Sequence, residues 1–135
     1  MDSNEVKIPD SDSEWEVFIA AWIVARESEK RTSDYDPEWW AVDAVSDWHF
    51  EELNEPLWQF ILRTFEKEMS ERTFAILAAG PLEDFLVSFG PSYIDRIEEL
   101  ARKNPRFNDL LGGVWKSLIT DEIWARVEKA RLNVW

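Results

Sequence analysis

Cysteine is absent from the 135 residues, and with it go disulfide frameworks, thiolate zinc sites, iron–sulfur clusters and cysteine nucleophiles. Histidine occurs once, at His49, so an imidazole mechanism would rest on a single side chain. Bases are scarce as well. Fifteen Lys and Arg face 28 Asp and Glu, a formal charge of -13. That shortage argues against direct contact with a nucleic-acid backbone or an anionic membrane, both of which need a basic surface. The opening Met-Asp-Ser-Asn-Glu lacks the basic and then apolar regions of a secretory leader. The strongly apolar stretches are far shorter than a bilayer span of roughly 20 residues. A cytoplasmic location is the expectation.

Apolar residues are present in sufficient number. Leu, Ile, Val and Phe total 37, about 27% of the chain, above the rough 20% below which a charged sequence stays disordered. The length suits one ordinary domain. The acid is unevenly placed: residues 1–55 hold 16 acids and 4 bases, net -12, whereas residues 56–135 hold 12 and 11, net -1.

Residues 1–12 combine Pro9 with three Asp and little apolar periodicity, and read as a mobile acidic arm ahead of a single helical domain over 13–135. Trp15, Phe18, Ile19, Trp22 and Ile23 recur at helical spacing, predicting a helix over about 13–29 with Asp12 or Ser13 as cap. Asp36-Pro37 supplies a cap followed by proline at the first helical position, and Trp39, Trp40, Val42 and Val45 carry a second helix to about Trp48. Asn54 to Pro56 starts a third, apolar around much of its circumference. Ser70 caps a fourth. Gly80-Pro81 and Gly90-Pro91 read as successive breaks, Asn104-Pro105 as another, and Thr120 as the cap of a last helix. Phe107, Leu110, Leu111, Val114, Trp115 and Leu118 form one segment between them. No sustained alternation of period two calls for strands. The predicted fold is all-α, a compact irregular bundle of about seven to eight short helices.

The blocks LAAGPLEDFL at 77–86, IDRIEELARKNPRF at 94–107 and LLGGVW at 110–115, preceded by a tryptophan helix around Trp58, carry a resemblance. Residues 47–131 resemble an uncharacterised family of bacterial all-helical domains, a domain of unknown function. The resemblance implies an all-helical fold and no particular activity. It leaves residues 1–46, with much of the acid, outside.

Glu83 and Asp84 stand in the first turn of a helix, a spacing suited to acid–base work or a divalent cation. The plainer reading is stabilisation by free backbone N–H groups and the helix dipole, with Arg96, Arg102 and Arg106 as ion-pair partners. Asp43, Asp47, His49, Glu51 and Glu52 invite a metal, yet their order matches no trusted metal motif, and a solvated face is preferred. No metal or cofactor is expected. Gly112-Gly113 precedes Lys116-Ser117 without P-loop spacing and reads as a place of close packing or a kink. Trp15, Trp22, Trp58, Trp115 and Trp124 fall in phase with apolar stripes and are assigned to the core. Trp39 and Trp40 are adjacent and cannot both face one way, and Trp135 is either a loose end or an anchor.

Two functional classes follow. The first is a non-catalytic interaction module, of the kind exemplified by immunity proteins and anti-defence inhibitors. Its acids Glu14, Glu16, Asp34, Asp36, Glu38, Asp43 and Asp47 would steer a partner with a basic surface, and Trp39 or Trp40 would anchor it. The second is a metal-assisted enzyme using Glu83, Asp84 and His49. Homodimerisation through an aromatic surface is a third, plainer use of the same residues.

Overall fold

The computed structural model describes residues 8–28 and 37–135, and among them there are helices and no strands. The chain divides into two compact units, one up to Phe60 and one from Ile61.

In the first unit α1 spans Asp12–Glu27 and α2 spans Trp39–Phe50. Ser11 rather than Asp12 or Ser13 caps α1, its Oγ accepting the Glu14 N–H at 3.2 Å. This satisfies one of the free donors of the first turn. Pro37 and Glu38 form a turn and α2 begins at Trp39, with no side-chain cap bond from Glu38; Asp36, the predicted cap, lies outside the described residues. The two helices run antiparallel. Trp15 meets Trp48 at 6.0 Å and Phe18 stacks on Trp48 at 4.9 Å, while at the other end the Arg26 guanidinium lies 5.2 Å from the Trp39 ring. Helix α3, Asn54–Thr64, brings Phe60 against Phe18 and Trp22 at 5.9 and 5.3 Å. Edge-to-face aromatic contacts of this kind each add about 0.5–1.5 kcal/mol beyond area burial.

The second unit departs most from the sequence reading. Helix α4, Glu71–Leu77, is capped by Ser70, whose Oγ accepts the Thr73 N–H. It passes through a π-helical turn at Ala78–Leu82 straight into α5, Glu83–Lys103. Neither Gly80-Pro81 nor Gly90-Pro91 breaks the chain. Pro81 sits inside the π turn, where the widened backbone relieves the clash a proline ring makes with the carbonyl four residues earlier. Pro91 lies inside α5 with Gly90 beside it. Gly90 is kept small from outside: a β-carbon there would stand 3.0 Å from Ile123 Cγ2.

Asn104 then caps α6, Pro105–Leu111, with its Oδ1 accepting the N–H groups of Arg106 and Phe107. The predicted helical segment through Leu118 stops at Leu111, because Gly112 and Gly113 end it and a loop runs to Thr120, the cap of α7, Asp121–Ala130. With contiguous segments joined, the described residues form six helices rather than seven or eight. The joined run Glu71–Lys103 is 33 residues long with a window of mean hydropathy 1.3, enough by length and composition to cross a bilayer. Its Leu77, Leu82, Phe85, Leu86, Ile94 and Ile97 are buried in the core of this unit.

Two polar devices tie the second unit together. Asn108, 5% exposed, donates Nδ2 to the carbonyls of Ala101 and Ala130 and accepts the Leu132 N–H, so every capacity of a buried amide that these three bonds use is satisfied. Arg126 on α7 bridges Asp95 and Glu98 on α5. The hydrogen bond from Arg126 holds the Glu98 carboxyl below its ordinary range, and the same contact raises the guanidinium further.

Candidate functional site

On α2, Trp40, Asp43 and Asp47 recur at i, i+3 and i+7 and therefore share one face of the helix. Both acids are exposed, and Trp40 keeps 38% of its surface in water while its inner edge packs on Phe18 at 5.5 Å. Trp39, about 100° around the helix, is half-buried under Arg26. Of the adjacent pair it is Trp40 that carries the outward surface.

The remaining predicted steering acids are not gathered on that ridge. Glu14 and Glu16 are exposed on α1 but about 200° apart around a helix of 3.6 residues per turn. Glu14 also accepts the Asp10 N–H at 3.0 Å. Glu38 is half-buried, and Asp34 and Asp36 lie outside the described residues. Around the helix circumference between these two acids, Val17 and Val24 stand 64% and 52% exposed, with Ala20 on the same strip. The sequence reading missed this strip. Its signal was present, since residues 17, 20 and 24 form their own i, i+3, i+7 series out of phase with the Trp15–Trp22 stripe.

Glu83 and Asp84 open the long helix α5, but Glu83 is committed elsewhere: its Oε1 accepts the Trp115 N–H at 3.0 Å. Arg102 pairs with Glu99, Arg96 lies over Tyr93, and Arg106 donates to the carbonyls of Phe65 and Lys67. Two open grooves of about 370 and 470 Å³ are lined by Glu71 and Asp109, and by Glu98; neither includes Glu83, Asp84 or His49. Among the described residues no three His, Asp or Glu side chains converge as a metal site.

The tryptophans divide differently from the sequence assignment. Trp15, Trp22, Trp48 and Trp58 are buried and Trp124 is half-buried beneath Arg131. Trp115, expected in the core, is 70% exposed because it falls in the loop after Gly113 and not on a helix face. Trp135 is docked. Its N–H reaches the Gly112 carbonyl at 3.0 Å, its indole N–H the Asp109 carbonyl at 2.6 Å, and its ring stacks with Phe74. Gly112-Gly113 thus serves close packing, as read, but against a tryptophan of an irregular segment.

Comparison with known families adds one assignment. Residues 26–134 match the model of a family described as a family of unknown function (DUF6869). The chain belongs to this family. The match extends farther towards the N-terminus than the resemblance over 47–131 and takes in α2. Residues 26–55 alone hold ten acids and three bases, so the larger part of the excess acid in the first 55 residues lies inside the family region and not ahead of it. The same region includes the docked Gly112-Gly113 pair and the Trp115 loop. Comparison with the curated proteins and with the solved structures gave no match.

Proposed function

We propose that this protein is a non-catalytic interaction module whose acidic first unit engages a basic surface on a partner protein, acting as an inhibitor of the immunity or anti-defence kind. The reading rests on the α2 ridge. An amphipathic, half-exposed Trp40 beside the exposed carboxylates Asp43 and Asp47 joins an aromatic anchor to charges that steer encounter. The net charge of -12 over residues 1–55 extends that field and would compete with a polyanionic substrate for a basic groove. A cytoplasmic setting fits this use.

The alternative, a metal-assisted enzyme using Glu83 and Asp84, draws less support, since Glu83 already anchors the Trp115 backbone.

Capture of partners from a cell extract, compared between the unmodified chain and the Asp43→Asn/Asp47→Asn variant, tests the proposal. The captured protein should present a basic surface. Its association should slow by about tenfold at low salt and lose salt dependence on charge removal, and Trp40→Ala should speed its dissociation. Unchanged association and dissociation in both variants would overturn the reading.

A further inference from the structure

The loop from Gly112 to Thr120 exposes two large apolar side chains, Trp115 at 70% and Leu118 at 81%. It is held from several sides. Glu83 accepts the Trp115 N–H, Arg131 donates to the Val114 carbonyl at 2.9 Å, and Lys116 reaches both the Ile119 carbonyl and the Asp121 carboxylate. Ser117 adopts φ 44°, a left-handed conformation that residues other than glycine avoid, and such departures concentrate where a segment is held for use. Flanking it, Val114 and Ile119 are buried while Trp115 and Leu118 point out. The loop is therefore preorganised to display an apolar pair that the fold does not use.

Its surroundings select the partner. The second unit is nearly neutral, with 12 acids and 11 bases from Ile61 onward, yet the elements that hold the loop begin with Glu83-Asp84 and Asp121-Glu122. Lys116, paired with Asp121 at 3.0 Å, and Arg131, turned to the carbonyls of Leu111 and Val114 and to the Trp124 ring, keep their charges, so these four acids exceed the two bases by two. An apolar knob held by segments with this excess of acid complements an apolar surface rimmed by base.

We propose that Trp115 and Leu118 form a second docking surface, in the second unit, for a cationic amphipathic segment of a partner protein. The surface is independent of the α2 ridge. Its test is a titration of the full ¹⁵N-labelled chain with a synthetic ten-residue Lys/Leu peptide, following the Trp115 indole N–H, assigned from a Trp115→Phe spectrum. The Trp115 indole and the 115–118 amides should shift saturably. The affinity should fall at least tenfold in the Trp115→Ala/Leu118→Ser variant, whose other resonances stay in place, and fall with added salt. It should persist in Asp43→Asn/Asp47→Asn, which separates this surface from the first. A Trp115 signal that stays still, that moves equally with a Glu/Leu peptide, that moves on raising protein concentration alone, or that stops responding in Asp43→Asn/Asp47→Asn would overturn the proposal.

Discussion

The indole of Trp135 lies directly on Gly113: a β-carbon at that glycine would stand 2.5 Å from Cη2 of the ring and 2.6 Å from Cζ2. The glycine pair and the tryptophan are one device, joined by the Trp135 N–H to the Gly112 carbonyl. A Gly113→Ala chain should lose about 1–3 kcal/mol, the range for overpacking. Trp135→Ala should lose about 1–2 kcal/mol, since half the ring remains in water. Neither glycine has positive φ, so Gly113→Ala made in the Trp135→Ala background should cost less than in the unmodified chain, the remaining close neighbour of the new β-carbon being Ala78 Cβ at 3.0 Å. Denaturant unfolding of the four chains measures the cycle, and strict additivity would show that the contact does not constrain Gly113.

Asn108 should be among the most sensitive polar positions. Asn108→Ala strips three hydrogen bonds from a buried site and leaves two carbonyls and one N–H short of a partner, for an expected loss of about 3 kcal/mol. Hydrogen exchange at the Leu132 amide should accelerate along with it, because that N–H is bonded to Asn108 Oδ1 at 2.8 Å.

Acid should weaken the second unit through Glu98. Its carboxyl is held below the ordinary value of 4.5 chiefly by the hydrogen bond from Arg126. The stabilisation is accordingly complete above about 4.5, where the unfolded chain is also ionised, and is lost as pH falls through the lowered folded value. Glu98→Gln should flatten this part of the acid limb, and Arg126→Gln should do the same. Unfolding free energies measured between pH 5 and pH 2 (roughly the window that such carboxylates span) should show the two variants converging on the unmodified chain at the acid end.

Replacing Ser117 by glycine should stabilise the chain by about 0.5–1 kcal/mol, because glycine occupies the left-handed region without a β-carbon penalty. Exposed Leu118→Ser should leave the melting temperature nearly unchanged. A large destabilisation by Leu118→Ser, read by thermal unfolding, would mean that the loop packs more tightly than its exposure indicates.

Much of the helical architecture was legible from local signals alone. Ser70 and Thr120 cap the helices they were expected to cap, because capping depends on a short-range bond to the next two or three backbone N–H groups. Periodicity likewise placed Trp15, Phe18, Trp22 and Trp58 in the core. Pro81 and Pro91 misled for the same reason that makes proline informative. Their cost is local, but a π turn and the burial of Leu82, Phe85 and Leu86 offset it, and that compensation comes from the packed unit.

The sequence by itself determined the all-helical class, the absence of thiol chemistry and the strongly acidic first part, since composition, capping and apolar spacing act within a few residues. Only the tertiary structure decided that Trp40 rather than Trp39 faces outward, that Glu83 is committed to a backbone N–H, that Trp115 stands in solvent, and that Trp135 closes over two glycines. Each of those outcomes depends on atoms distant in sequence meeting within a few ångströms, and no local pattern encodes which of several apolar or acidic residues finds a neighbour.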